Sequence, residues 1–459
     1  MRMNARVWVG VATIAVVLCA SLAGSGRAKA PDVSGTVVIV TSFPPALFEK
    51  FKSAFEKIHP DVTVFVRSKK TSAAISFIDE RVNEPVDLFW ASAPDAFEVL
   101  KDAGHLQQVF AEKGAGATRI GSYPIDDPDG FYRGFAVSGY GIVWHEGYLR
   151  RHGLKAPENW RDLTHKAYSH HIGVSAPSRS GTTHLIVESI LQSQGWGEGW
   201  ATLSEIGGNL ATVTARSFGV IDGVLAERFG IGAAIDFLGL SAKATGSPVD
   251  FAYPAGTAFL PANIAIVKRA ANPRAAMAFV DFVLSKDGQM LLFEPEISRL
   301  PVMKSIYSSA PKHYANPFSD ELANKGIAFN ADLSRQRYQL INSMFDVMIT
   351  FRLQGLRRTW KVIHEAEAEL KGLGASHMRE RVQEARRLAS QVPVTAEEAI
   401  SPILSSVFVR HKPGLSVPLR QTELEAEWAN FARDNQDRAY KLASDVLNDL
   451  HDMKEKARP

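Results

Sequence analysis

Apolar and polar positions change their spacing along the chain in a regular order. Residues 35–41 form a β-branched run that ends at Ser42-Phe43-Pro44, and a three- and four-residue spacing follows through Phe48, Phe51, Phe55 and Ile58. The first pattern predicts a strand and the second a helix. Residues 62–66 repeat the strand pattern and lead to a polar helix over 72–82. Residues 86–90 repeat it again, followed by Ala91-Ser92-Ala93-Pro94 and a helix over 95–103. Strands alternating with helices at this spacing predict an α/β fold with a mainly parallel, doubly wound sheet. Ligands of such sheets collect beyond the carboxyl ends of the strands, where Ser42 and Ser92 fall, although either serine serves equally well as a helix cap.

A β-rich stretch at 134–144 is followed by Pro157-Glu158-Asn159-Trp160-Arg161-Asp162-Leu163 and by the segment 172–183. Residues 212–222, an apolar strand at 230–236 and the segment 249–267 complete a second α/β region. From about residue 330 the strand patterns vanish. Ile341, Phe345, Met348, Phe351, Gly355, Trp360 and Ile363 share one helical stripe, and Leu424, Trp428, Phe431, Leu442, Val446 and Leu450 share another. The opposite faces carry mixed Glu, Lys and Arg, so both stripes read as core packing rather than as a membrane or cofactor surface. The expected organisation is an export segment (1–30), a first lobe built from 31–133 and 258–329, a second lobe (134–257) and an all-α extension (330–459).

Composition narrows the partners. Of 459 residues, 46% are hydrophobic and 22% charged, the balance of an ordinary globular chain. Its 52 Lys and Arg are nearly matched by 49 acidic residues, so no phosphate-tracking surface for nucleic acid is expected. Arg2 and Arg6 precede an apolar run at 7–23 and the small-residue site Ala28-Lys29-Ala30, which together read as a signal peptide and place the protein in the periplasm. Pro31 suits cleavage poorly and moves the expected cut upstream; an uncleaved anchor is the other reading of the run. Cys19 is the only cysteine and lies inside this segment, which removes thiolate catalysis and thiolate metal sites from the remainder. Leu18 before Cys19 does not suit a lipoprotein site, which favours a free protein.

The sharpest local chemistry is Ser178-Arg179-Ser180-Gly181-Thr182-Thr183-His184, placed between a strand at 172–175 and a helix over 184–194. Hydroxyls, a glycine that allows close backbone approach, free N–H groups at a helix start and Arg179 together make an anion cradle. An ordinary capped helix needs only one of those hydroxyls. A second candidate is Thr214-Ala215-Arg216-Ser217-Phe218, where Arg216 can grip a phosphate edge or lie on the surface. Asp236 ends the strand at 230–236 and reads either as an acceptor for a ligand hydroxyl or amine or as a cap of the next turn. His170-His171 lacks a companion at helical spacing and reads as a solvated pair, so no metal is expected. The chain carries no Gly-x-Ser-x-Gly elbow, no Walker loop and no Gly-x-Gly-x-x-Gly at a helix start, and no enzymatic function or cofactor is expected.

The order of Thr41-Ser42-Phe43-Pro44, Trp90-Ala91-Ser92, Asn159 to Leu163, Ser178 to Thr183, Asn272-Pro273-Arg274-Ala275-Ala276 and the run 279–289 resembles the periplasmic solute-binding proteins of ATP-driven (ABC) importers, in the ferric-iron, thiamine, phosphonate and sugar-phosphate group. The run 206–217 and the helical tail are similar to the phosphoglycerate transport regulatory protein family. The resemblance covers roughly residues 33–305 and is weaker in the tail. It implies the type II periplasmic-binding-protein fold, in which two lobes on hinge strands close over a ligand. It places Ser42 and Ser92 on the first lobe and Ser180, Gly181, Thr182, Ser217 and Asp236 on the second, around a small anionic ligand. Iron-binding members use adjacent tyrosines, which this chain lacks. Tyr140, Phe218 and Tyr253 are the aromatic candidates for a thiamine-like ligand. The expected protein partner is an inner-membrane permease or, given the tail, a membrane sensor kinase, and the expected state is a monomer. A secreted hydrolase has only scattered Ser, His and Asp in its favour.

Overall fold

The computed structural model describes residues 33–80, 84–110, 119–120, 123–312, 314–408 and 417–456. The signal-peptide reading and Cys19 lie outside the described residues. The strands in chain order are β1 (Gly35–Thr41), β2 (Val62–Ser68), β3 (Leu88–Ala91), β4 (Arg119–Ile120), β5 (Tyr123–Pro124), β6 (Arg133–His145), β7 (Ile172–Ser175), β8 (Leu210–Thr214), β9 (Ile231–Ile235), β10 (Val249–Ala252), β11 (Phe259–Ile266) and β12 (Leu300–Pro301). Apart from the hairpin of β4 and β5, they join one sheet in the order β2-β1-β3-β11-β6-β9-β7-β8, with β10 and β12 also paired to β6.

The two lobes meet along β6. Its first seven residues pair antiparallel with β11, and from Tyr140 onward it pairs with β9 and β10. On one side β1 lies parallel between β2 and β3, and on the other β7 lies parallel between β8 and β9. Gly139 marks the crossing point: a Cβ there would come within 2.5 Å of Tyr253 and 2.6 Å of Phe259, so only a bare backbone passes between the rings.

Each element follows from its residues. β1 alternates little because both faces are covered, and Val37 to Thr41 are all buried. The helix Pro45–Ile58 starts on a proline, which needs no hydrogen-bond acceptor there, and buries Leu47, Phe48, Phe51 and Phe55. Its last expected stripe residue, Ile58, is 54% exposed because the chain turns at His59 into β2. Phe43, Phe51, Trp90 and Phe135 meet with centroids 5.2–6.5 Å apart, mostly edge to face, and Trp90 reaches Phe279 at 5.6 Å. This cluster is the floor of the first lobe.

The extension beyond residue 330 is helical: Ala331–Met348, Leu353–Glu369, Ser376–Ser390, two short helices, and the 38-residue helix Leu419–Lys456. Its stripes do pack inward, with Trp360, Ile363, Leu424, Trp428, Val446 and Leu450 buried. Phe351 departs from its expected stripe and is 73% exposed, because a tight turn at Thr350–Arg352 separates the two helices and breaks their phase. The extension shares a continuous core with the second lobe. Gly207 and Gly208 open the surface of the helix Trp196–Asn209: a Cβ on either would stand 2.9 Å from Leu356 or 2.6 Å from Trp360. Trp360 Nε1 then donates to Ser204 Oγ (3.2 Å), and Trp196 Nε1 to the Val394 carbonyl (2.8 Å). No helix among the described residues is long and apolar enough to cross a membrane.

Candidate functional site

The parallel strands of both lobes point their carboxyl ends at one cleft with about 670 Å³ of empty volume. From the first lobe come Ser42 and Phe43 after β1, Ser68, Lys69, Lys70 and Thr71 after β2, and Ser92 and Ala93 after β3. From the second come Arg179, Ser180, Gly181 and Thr182 after β7, Arg216, Ser217 and Phe218 after β8, and Ile235 and Phe237 around the end of β9, with Tyr140 between. Four cationic side chains line the cleft, and no acidic one does among the described residues. A low-dielectric cleft of one sign concentrates ligands of the other.

The loop after β7 reaches the cleft through a helix start. Ser180 caps the helix Gly181–Gln194, its Oγ accepting the Thr183 amide at 3.2 Å. The amides of Gly181 and Thr182, in the first turn, have no intrahelical acceptor and remain as donors at the positive end of a 14-residue helix. Gly181 faces the other lobe at close range: a Cβ would lie 3.0 Å from Ala93 Cβ and 3.7 Å from Thr71 Oγ1. Ser217 opens the helix Phe218–Leu225 without spending its hydroxyl on a cap. The capping role weighed for the loop at 178–184 thus applies to Ser180.

Eight expected site residues, Ser42, Ser92, Arg179, Ser180, Gly181, Thr182, Arg216 and Ser217, line this cleft; three do not. Thr183 is buried, its hydroxyl bonded to Ser175 Oγ beneath the helix start. Asp236 is buried and accepts from the amides of Gly139 and Phe237 (both 2.7 Å) and from the Tyr253 hydroxyl (3.1 Å). Its position at a strand end is the expected one, but the carboxylate fastens the β6 crossing, and burial raises it to about 6 despite these donors. Tyr253 stands behind the wall for the same reason, with its phenol pushed well above its ordinary value by burial. His171 binds Tyr148 through Nδ1 (2.8 Å) at the start of β7, the end remote from the cleft. No group of three or more metal-ligating side chains is present among the described residues.

Sequence reasoning missed the basic corner Lys69-Lys70-Thr71 and the aromatic walls Phe43 and Phe237. The first had a usable signal, since it follows β2 as Ser92 follows β3. Also missed was Arg299, which is fully buried under the cleft floor. Its guanidinium carbon lies 4.4 Å from the Phe43 ring centroid and 3.7 Å from that of Phe237. Nη2 donates to Ser92 Oγ (3.3 Å) and Nη1 to Ser138 Oγ (3.1 Å).

The sequence profile described as "bacterial extracellular solute-binding protein" matches residues 83–315. The phosphoglycerate transport regulatory protein PgtC of Salmonella typhimurium is 30% identical over 375 residues, covering 79% of this chain and 87% of that protein. Two of the solved structures that share the fold illustrate it. The periplasmic binding protein AfuA of Actinobacillus pleuropneumoniae, with exogenous fructose-6-phosphate bound, superposes with a TM-score of 0.58 at 20% identity, covering 68% of this chain and 98% of its own. The periplasmic binding protein P5PA gives 0.59 at 19% identity, covering 69% and 100%. The match to the family profile, the extent of the relationship to PgtC and the two-lobed cleft agree: the chain belongs to the bacterial extracellular solute-binding proteins.

Proposed function

We propose that this protein captures a small phosphorylated or phosphonate-like anion in the periplasm and delivers it, as a monomer and without chemical turnover, to an inner-membrane ABC permease. The observation that carries the reading is the charge of the cleft: Lys69, Lys70, Arg179 and Arg216 around the open first turn of the helix Gly181–Gln194, with no acidic lining residue among those described. An oxyanion satisfies such a site, whereas a thiamine cation meets four like charges, and a bare ferric ion meets no carboxylate. Hydroxyls at Ser42, Ser68, Ser92, Thr182 and Ser217 suit phosphate oxygens or the hydroxyls of a sugar or glycerate backbone. The phosphoglycerate in the name of the 30% identical relative and the fructose-6-phosphate in the AfuA structure support this choice of ligand class.

A thermal-shift panel of 3-phosphoglycerate, fructose 6-phosphate, methylphosphonate, inorganic phosphate, thiamine and ferric citrate tests it. At a hundred times its dissociation constant a ligand adds about 2.7 kcal/mol of stability. Shifts by phosphorylated anions are expected; shifts by thiamine or ferric citrate alone would overturn the reading.

A second reading, a ligand-sensing regulator of phosphoglycerate-type transport that acts on a membrane sensor kinase, is favoured by one observation. The first helix of the extension touches both lobes, with Ser334 on Asp95 of one and Asn342 on His184 of the other. Pull-down of a kinase rather than a permease from solubilised membranes by the ligand-loaded chain would favour sensing.

A further inference from the structure

Arg299 carries an arrangement that packing alone does not require. It is fully buried, yet no carboxylate forms an ion pair with it among the described residues, and its Nε has no hydrogen-bond partner. The carboxylate whose charge acts on it, Asp236, is already committed to Gly139, Phe237 and Tyr253. A buried cation left this way is costly unless its field is used. Its backbone is fixed on both sides: the Arg299 amide donates to the Leu292 carbonyl (3.0 Å), and Tyr314 donates to the Arg299 carbonyl (2.8 Å). The guanidinium lies between Phe43 of the first lobe and Phe237 of the second, both of which line the cleft. Because Nη2 donates to Ser92 Oγ, one of the serine's two lone pairs is occupied and its O–H is left free of the guanidinium, which can only donate.

We propose that Arg299 is a positioning residue for an anionic ligand, presenting Ser92 as a hydrogen-bond donor and setting a positive potential under the cleft floor that selects phosphorylated ligands over their neutral or singly charged parents. This rests on the anion-binding reading and adds to it a residue that acts without touching the ligand. In a water-poor floor a fixed charge is felt at greater range than in solvent.

Calorimetry on the full chain, with 3-phosphoglycerate and fructose 6-phosphate as probes against glycerate and fructose, tests it. Arg299→Met is expected to weaken the phosphorylated probes by roughly 30-fold or more and the parents by only a few-fold. Arg299→Lys keeps the charge and should recover part of the selectivity. Ser92→Ala combined with Arg299→Met should cost less than the sum of the two. Should Arg299→Met fail to fold, the Lys variant and the Ser92→Ala variant carry the same comparison. Equal loss for phosphorylated and parent compounds, or full additivity of the two substitutions, would overturn the positioning role while leaving anion binding intact. No binding of either phosphorylated probe by the unaltered chain would overturn the anionic reading itself and this proposal with it.

A separate set of contacts leads us to infer that the helix Ala331–Met348 is a clasp that holds the two lobes together behind the cleft. Toward the first lobe, Ser334 Oγ donates to Asp95 Oδ2 (2.7 Å) and Arg335 pairs with Asp102 (2.8 Å), both on the helix Pro94–Asp102 that follows Ser92. Toward the second, Arg337 pairs with the fully buried Glu188 (2.7 Å) and Asn342 meets His184 (3.0 Å). One rigid helix therefore spans the joint that ligand-driven closure must move. Spin labels at Lys57→Cys and Arg150→Cys in the full chain read the lobe separation without any ligand. Ser334→Ala with Arg335→Ala, and in a second protein Arg337→Met, should broaden the distance distribution toward longer values. A distribution identical to that of the labelled parent in both variants, with their helical circular dichroism unchanged, would overturn the clasp.

Discussion

His184 of the second lobe and Asp95 of the first lie 3.5 Å apart, Nε2 to Oδ2, each in contact with Ser334 of the extension. Both are buried, and burial acts on them in opposite directions: Asp95 is raised to about 7 and His184 lowered to about 4. Between these values both shifts favour the neutral forms. Ser334 Oγ donates to Asp95 Oδ2 (2.7 Å), and His184 meets Ser334 through Nε2 (3.1 Å) and Asn342 Oδ1 through Nδ1 (3.0 Å).

A pH dependence follows. The Asp95 contribution is present below about pH 4 and lost as pH rises toward 7; the His184 contribution is present above about 6.5 and lost as pH falls toward 4. Over the shared window the two slopes cancel. Glu188, Glu98, Arg335 and Arg337 also face this pair and are present in every variant. Relative to the unaltered protein, His184→Gln should therefore lose about 1 to 3 kcal/mol as pH rises from 4 to 7, and Asp95→Asn should gain a similar amount. Urea melts at pH 4.5, 5.5 and 6.5 measure both; parallel stability curves for the three proteins would contradict opposite shifts of the pair.

The close approach at Gly181 predicts a substitution that harms binding more than folding. Gly181→Ala sets a Cβ 3.0 Å from Ala93 Cβ across the cleft, an overpacking of about 1 kcal/mol felt only where the lobes meet. Affinity should fall several-fold while the melting temperature of the unliganded chain holds or rises. A matching fall in unliganded stability would show that the contact belongs to the fold itself.

Removing cleft charge should act additively and through salt. Lys70→Ala or Arg216→Ala should each cost about 1.5 to 3 kcal/mol for a phosphorylated ligand and flatten the dependence of affinity on ionic strength. Titrations at low and high salt show both effects together; an unchanged salt dependence would place these side chains away from the ligand.

Trp360→Ala should cost about 3 to 5 kcal/mol, because the ring fills the hollow over Gly208 between the extension and the second lobe. Calorimetric melting is expected to remain a single transition, since both share one core. A separate low-temperature transition of the extension alone would contradict that shared core.

The strand-helix alternation, the strand ends bearing Ser42 and Ser92, and the helix start at Ser180 were legible because period and turn chemistry are local. Asp236 illustrates the limit: its place at the end of β9 follows from sequence, but whether its carboxylate faces the ligand or the Gly139 amide depends on where a strand nearly a hundred residues earlier crosses. Lys69 and Lys70 were readable as a strand-end loop yet merged with the polar start of the next helix. Arg299 gave no local signal, since its partners Phe43, Ser92, Ser138 and Phe237 are assembled only by the fold. Gly207-Gly208 carried a sign of close packing in the sequence, but not what packs there.

The most direct measurement of the central claim is a calorimetric titration of the full chain with 3-phosphoglycerate and fructose 6-phosphate beside glycerate, fructose and thiamine. Saturable binding of a phosphorylated compound at one site, weakened by salt and stronger than that of its parent, is predicted. Binding of thiamine or a neutral sugar with no response to either phosphate ester would contradict an anion-capturing cleft.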